Sequence, residues 1–415
     1  MIKLPYGHSY FPKIRQQGYH FIDRTGFIRR LEELDTHYLF FLRPRRFGKS
    51  LWVSILEHYY GLRWADQFDA LFSGLDIGRQ PTPGANQYLV LKFDFSGVDT
   101  ADERVMERDF LKEIQTGAMS LFEDYAQAFV EEDYQSIKAE ESPAGVLRTL
   151  FLLVRRRLPG KLLYLLVDEY DHFTNRLFVQ QRTAFDRIVR QDGFYRAFFE
   201  TAKTGTQEGY IDRIFVTGVS PITLDSLTSG FNIGHNLTLD HRFHDMLGFK
   251  EEEVAGILRG SGVAEEAIPS VLQDIRLWYN GYLFSKRGEA RLYNPDMALY
   301  FAREYQALNG YPETMLDINI ATDYQRIAKM LYLGDYERNA EELVKLLEEG
   351  EITAQLTEQF NPERAWTRDD FVSYLFYNGL LTIDSTIASF YTFKIPNRTA
   401  RYWIEVFQRQ LSTPV

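Results

Sequence analysis

The sequence predicts an α/β fold, a three-layer core around a mostly parallel sheet with a different C-terminal part behind it. Three observations predict it. Apolar runs of strand length alternate with longer helical patterns over roughly the first 245 residues, which implies right-handed crossovers between parallel strands. One of those runs, LLYLLV at Leu162–Val167, is apolar throughout, as a strand covered on both faces must be. After Phe243 the strand signal fades and helical patterns take over.

Taken in order, Tyr38–Leu42 (YLFFL) is the first strand. Tyr88–Phe95 (YLVLKFDF) alternates, which suits a place nearer a sheet edge. Leu162–Val167 is the third strand, Ile211–Thr217 (IDRIFVT) the fourth, and Asn236–Leu239 (NLTL) a short fifth. Helical patterns fill the gaps at Leu51–Tyr60, Asp102–Phe129, Pro143–Leu158 and Phe194–Lys203. Beyond the core, Lys250–Arg259 and Ala267–Trp278 read as helices, and Asn294–Pro295 is an N-cap with proline at the first helical position. Glu341–Glu349 and Thr367–Tyr377 follow, and LLTIDSTIASFYTFKIPN reads as a two-stranded ribbon after a helix, the outline of a small winged-helix unit.

Composition excludes several classes. Of 415 residues, 45% are hydrophobic and 25% charged, so a packed core is expected and wholesale disorder is not. There is no cysteine, hence no disulfide framework and no thiolate zinc site, which suits a cytoplasmic setting. No apolar run has the length of a membrane span, and MIKLPYGHSYFPK lacks a signal-peptide core, so no membrane contact is expected. The net charge of −11 opposes non-specific nucleic-acid binding over the whole surface. Arg155–Arg157 is a candidate local basic patch, or equally a helix C-terminal turn, and Glu131–Asp133 with Glu140–Glu141 reads as a solvated face.

The chemistry starts at His37–Leu51, HYLFFLRPRRFGKSL. The phosphate-loop pattern is G-x-x-x-x-G-K-[ST], and Gly48, Lys49 and Ser50 match its end, while Arg43 stands where glycine is usual. A strand precedes the loop and a helix follows it, the context the pattern needs. Arg43, Pro44, Arg45, Arg46, Phe47, Gly48, Lys49, Ser50 and Leu51 are therefore the candidate nucleotide-binding stretch. Gly48 lets the backbone approach phosphate, Lys49 reaches the terminal phosphates, and the Ser50 hydroxyl is a Mg²⁺ ligand. Arg45 and Arg46 either enrich a positive pocket or pair with carboxylates.

A partner for the metal follows in LLYLLVDEYD. Asp168 is the second candidate Mg²⁺ ligand, and Glu169 the candidate catalytic base acting with Lys49. Asp171 and His172 read as the start of the next segment. In IFVTGVSP, Thr217 and Ser220 are candidate sensors of the attacking water or a phosphate oxygen, or else parts of a structural turn. GKS alone and DE after an apolar strand are each common. The two in order, each after a strand, carry the assignment. His235, His241 and His244 lie close in sequence but lack metal-ligand spacing. Arg213, Arg242, Arg259 and Arg276 are eligible as transition-state or sensor arginines.

LRPRRFGKSL, LLVDEYD, FVTGVSP, WYNGYLFS with the later YNP, and the final NGLLTI and PNR together resemble the predicted AAA-ATPase-like family of bacteria and archaea. The opening YFPKIRQQGYHFIDRTGFIRRL is similar too, with Arg24 where the family has lysine. The resemblance implies a P-loop ATPase core over 1–245, a helical lid over 246–345 and a winged-helix-like domain over 346–415. It implies ATP and Mg²⁺ as cofactors, favours ATP over GTP, and implies a Mg²⁺-dependent ATPase acting as a switch in defence or nucleic-acid-related regulation. The alternative is a non-hydrolysing scaffold, a DNA- or protein-binding module stabilised by nucleotide. WYNGYLFS would lie in the lid near the nucleotide or its hinge, or form an aromatic packing corner with Asn280–Gly281 as a turn. Many members continue into a PD-(D/E)xK nuclease domain. No such core is evident here, so nuclease activity is not expected. DNA, a partner protein such as a nuclease on another chain, and further copies of this chain are the partners left open.

Overall fold

The computed structural model describes residues 1–415 apart from 101, 190–192, 224–232, 318–331, 361–363 and 413–415. Strands β1 (Tyr38–Leu42), β2 (Leu89–Asp94), β3 (Leu163–Asp168), β4 (Ile211–Gly218) and β5 (His235–Asn236) form one sheet in the order β2-β3-β4-β1-β5. Every neighbouring pair is parallel. Parallel pairing forces each connection to cross over the sheet, and the main helices of this half are those crossovers. They are α1 (Lys49–Tyr60), α2 (Glu103–Asp124), α3 (Pro143–Arg157), α4 (His172–Gln180) and α5 (Phe194–Gln207).

The period-2 geometry of β2 shows the helices on both faces. Phe93 faces Gly117 of α2 and Phe198 of α5. Its neighbour Lys92 must point the other way, and it pairs with Glu57 of α1 at 2.6 Å. β2 is an edge strand with alternating burial, as its sequence predicts, whereas β3 is buried at all six positions. The fifth strand is shorter than expected: pairing covers His235–Asn236, and the Thr238 hydroxyl oxygen instead accepts from the Leu42 amide at 3.0 Å.

The acidic run at 131–133 is not wholly solvated. Asp133 is buried, caps the Val130 amide at 3.0 Å and accepts from Arg157 at 2.8 Å. Arg157 thus joins α3 to the preceding helix and leaves the basic patch to its neighbours.

The second half carries α6 (Glu251–Gly260), α7 (Ile268–Tyr279), α8 (Pro295–Leu308), α9 (Tyr336–Glu349), α10 (Arg368–Tyr377) and α11 (Arg398–Ser412). Asn294 caps α8, accepting from the Asp296 and Met297 amides. A second sheet, antiparallel in the order β6-β8-β7, consists of β6 (Glu351–Gln355), β7 (Thr382–Ile387) and β8 (Phe390–Lys394). The hairpin β7–β8 is the ribbon read in the sequence; β6 is an addition. The expected boundary at 345/346 falls inside α9, which packs on β6, α10 and α11. Among the described residues no helix is long and apolar enough to cross a membrane.

Candidate active site

The loop between β1 and α1 is built by two left-handed residues, Arg46 (φ 64°) and Gly48 (φ 94°). A Cβ on Gly48 would meet nothing within 4 Å. Backbone conformation rather than space therefore calls for glycine there. α1 opens directly after it, and the first amides of a helix have no partner inside the helix. They face a cavity of about 330 Å³ lined by Gly48, Lys49, Ser50 and Leu51. This is an oriented, positive helix end at the carboxyl edge of a parallel sheet.

The structure brings the two motifs together although β4 lies between their strands. The Ser50 side chain lies beside the Asp168 carboxylate at the end of β3, near enough to favour its charged form. Lys49 Nζ lies 3.9 Å from Glu169 Oε1 and 3.4 Å from the Pro44 carbonyl. Burial, then the charge of Glu169, pushes the Asp168 carboxyl above the usual carboxylate range. Burial alone would raise Glu169 as well. Lys49, the His172 ring beside it and the charge of Arg45 outweigh it and hold Glu169 below the usual range. Glu169 has φ 50°, a left-handed residue that is not glycine, at the point where β3 breaks into α4.

Arg43 and Pro44 of the loop do not line the cavity. Arg43 is 1% exposed, and its guanidinium donates to the carbonyls of Leu42, Thr238, Phe243 and His244 at 2.9–3.2 Å. It is sandwiched between the Phe41 and Phe284 rings, 4.2 and 4.4 Å from their centres. Burial lowers it to about 9, so it stays charged at neutral pH. Arg46 pairs with Asp296 at the start of α8 at 2.8 Å, the carboxylate alternative, and still lines the cavity. Phe47 is buried edge-on against Tyr282 and Phe284. Pro44 lies against Gly379, where a Cβ would come within 3.0 Å of it. Tyr282, Phe284 and Gly379 belong to the WYNGYLFS and NGLLTI motifs, so WYNGYLFS is an aromatic packing corner that supports the phosphate loop from outside.

Thr217 and Ser220 do not line the cavity. The Thr217 hydroxyl donates to the Phe41 carbonyl at 2.7 Å, and Ser220 gives its hydroxyl to Asp171 and Asn175. Asp171 was missed as a participant. Fully buried, it accepts from the Val219 amide at 3.0 Å, the Ser220 amide at 2.7 Å and Asn175 Nδ2 at 2.5 Å. It thereby locks the DEYD turn to the VTGVSP turn. A carboxylate two residues after the Asp168–Glu169 pair was the available signal, but nothing local tells its partners.

The N-terminal segment was also missed. Pro5, His20 and Phe21 line the far side of the cavity together with Leu247, Phe249 and Leu299. Phe11 N donates to Ser54 of α1 at 3.1 Å, and Arg24 reaches Glu253 of α6 at 2.6 Å and the Gly248 carbonyl at 2.9 Å. The segment is thus fastened at one end to α1 and at the other to Gly248 and α6.

The remaining candidates lie elsewhere. Arg213 sits at the opposite end of the sheet with Tyr88, while Arg242, Arg259 and Arg276 pair with Asp240, Glu265 and Glu251. None of the four lines the cavity. His244 is a packing histidine, and among the described residues no cluster of three or more metal-ligating side chains exists.

The family model described as predicted AAA-ATPase matches residues 5–228. That match takes in the loop, the paired carboxylates and the turn after β4. A curated protein of Azotobacter chroococcum mcd 1, described as an uncharacterized protein in the vnfD 5′ region, is 29% identical over 324 residues. The alignment covers 76% of this chain and 56% of that protein, so the chain spans about half the length of that relative. Among solved structures, the Walker-type ATPase PABY2304 of Pyrococcus abyssi aligns with a TM-score of 0.47 and 12% identity over 92% of this chain and 94% of its own. With more than half of its length matched, and the motifs of that match gathered at one edge of the sheet, the chain belongs to the predicted AAA-ATPase family.

Proposed function

We propose that the chain binds ATP with Mg²⁺ in this cavity and hydrolyses the terminal phosphoanhydride bond, using the cycle as a switch. The observation that carries the reading is the meeting of Ser50 with Asp168 and of Lys49 with Glu169 at one sheet edge. Ser50 and Asp168 would hold the metal. Both donors are oxygen, and a single carboxylate plus substrate phosphates is how Mg²⁺ is commonly bound. Asp168 fits such an ion because burial makes its charge costly, and a dication relieves that cost. When bound, Mg²⁺ supplies charge stabilisation at the phosphates.

The protein's own groups do the rest. The first amides of α1 and Lys49 grip phosphate oxygens. As Lys49 turns to the phosphates it leaves Glu169, whose proton affinity then rises toward what a base needs. Glu169 takes a proton from water as the water oxygen bonds to the terminal phosphorus. The bridging oxygen departs with ADP, and inorganic phosphate is released. The base of the nucleotide would occupy the apolar end, between the N-terminal segment and Leu247–Phe249.

The test is phosphate release from ATP and Mg²⁺. Lys49→Ala and Glu169→Gln should each lower turnover by about 100-fold or more. Wild-type turnover no higher than that of either variant would sink the assignment.

Support of the loop by Phe47–Tyr282, Arg46–Asp296 and Pro44–Gly379 favours a second reading, a scaffold stiffened by nucleotide without cleavage. Nucleotide at 100 times its Kd should add about 2.7 kcal/mol of stability in either case. Stabilisation with no phosphate release selects the scaffold. In both readings the unit from α9 onward is the proposed winged-helix-like output element, offered to DNA or a partner protein. Salt-sensitive retention on duplex DNA separates those two.

A further inference from the structure

Residues 169–172 form a tight turn in which the inner pair and the outer pair do different jobs. Tyr170 and Asp171 point inward and are fixed. The Tyr170 hydroxyl donates to the Ser220 carbonyl at 2.7 Å, its amide to the Thr217 carbonyl at 3.1 Å, and its carbonyl accepts from Tyr195 at 2.7 Å. Asp171 is held by the amides of 219 and 220. Glu169 and His172 share the other side, each about one-fifth exposed. The His172 amide closes the turn onto the Glu169 carbonyl at 3.0 Å. Its ring Nδ1 lies 3.5 Å from Glu169 Oε2, while Lys49 addresses the other oxygen, Oε1, at 3.9 Å.

A glutamate carboxylate on three rotatable bonds needs holding to act as a base at a fixed point, and a base is commonly aimed by a third group. Here there are two direct handles, one on each oxygen, with the Arg45 charge nearby. One of them is borrowed, because Lys49 is the group a triphosphate claims. The other sits on the rigid turn and touches no candidate phosphate ligand. We propose that His172 is the positioning residue for Glu169, keeping Oε2 so that Oε1 faces the attacking water once Lys49 has moved to the phosphates. The inference rests on the ATPase reading above and adds to it a residue outside the phosphate-loop and paired-carboxylate motifs.

Steady-state hydrolysis of Mg²⁺-ATP by the full chain tests it, with wild type, His172→Ala, His172→Asn and Glu169→Gln side by side and the melting temperature of each recorded. An asparagine amide can take the place of Nδ1. We expect His172→Ala to lower kcat by about 10–100-fold with KM within about twofold, and His172→Asn to recover most of the loss. A kcat for His172→Ala within about twofold of wild type overturns the inference alone. So does a loss in which KM rises in step, or one that asparagine does not recover, since a folding role would behave that way. Absence of wild-type turnover overturns the ATPase reading and this inference with it.

Discussion

Arg43 holds the position where the phosphate-loop pattern has glycine, and its guanidinium turns away from the cavity to four carbonyls and two aromatic rings. Two of those carbonyls belong to Phe243 and His244, some two hundred residues on, so no local pattern could have named them. The same holds for Ser220, whose hydroxyl is engaged by a carboxylate fifty residues earlier in the chain. By contrast Lys49 and Ser50 open the helix that follows β1, and Asp168 and Glu169 stand at the end of β3, so the strand–loop–helix order was enough to bring them to notice. His244 gives a prediction at this scale. Its Nε2–H donates to the Ala290 carbonyl at 2.7 Å, and Nδ1 accepts from the Phe284 amide at 3.4 Å, an arrangement that suits the neutral ring. Burial lowers it to about 4 from the usual 6.5. A histidine with a depressed folded pKa stabilises fully above 6.5 and loses that contribution as pH falls toward 4. Between pH 7 and 4.5 the wild type should lose about 2–3 kcal/mol more than His244→Gln by chemical denaturation. Equal losses would refute it.

At the scale of elements, four of the five core strands lie where their apolar runs predicted, because hydrophobic periodicity is a property of contiguous residues. The order β2-β3-β4-β1-β5 is a tertiary fact, of which the near-edge place of β2 was read in advance. β6 escaped notice because EITAQ is short, with just Ile352 and Ala354 buried. The N-terminal wall of the cavity carries no periodicity, so its role appears only once α1 and α6 are placed behind it. The joint between the second half and the loop can be tested at Gly281. That residue has φ 107°, and a Cβ on it would meet the Pro396 carbonyl oxygen at 2.2 Å. Asn397 donates to the Asn280 carbonyl beside it at 2.8 Å. Gly281→Ala should cost about 2–4 kcal/mol in urea denaturation, since both the backbone and a neighbouring backbone must shift. A loss below about 1 kcal/mol would show that the 396–397 segment yields freely.

For the whole molecule, the two halves meet at the candidate site. Phe47 and Arg43 of the loop are covered by Phe284, and Arg46 pairs with Asp296, all beyond residue 245. A fragment of residues 1–245 would uncover those rings and leave a buried guanidinium without its cover. It should bind hydrophobic dyes and unfold without a cooperative transition, whereas sharp two-state melting would show that the first half is self-sufficient.

The outer margin of β1 has one more consequence. Phe40 accepts from the Leu237 amide, Leu42 takes the Thr238 hydroxyl oxygen, and the Leu42 carbonyl is occupied by Arg43. A strand arriving from another copy would find no vacant rung there. Strand addition between copies would therefore have to use another edge, such as that of β2, and β1 stays outside any continuous β-polymer.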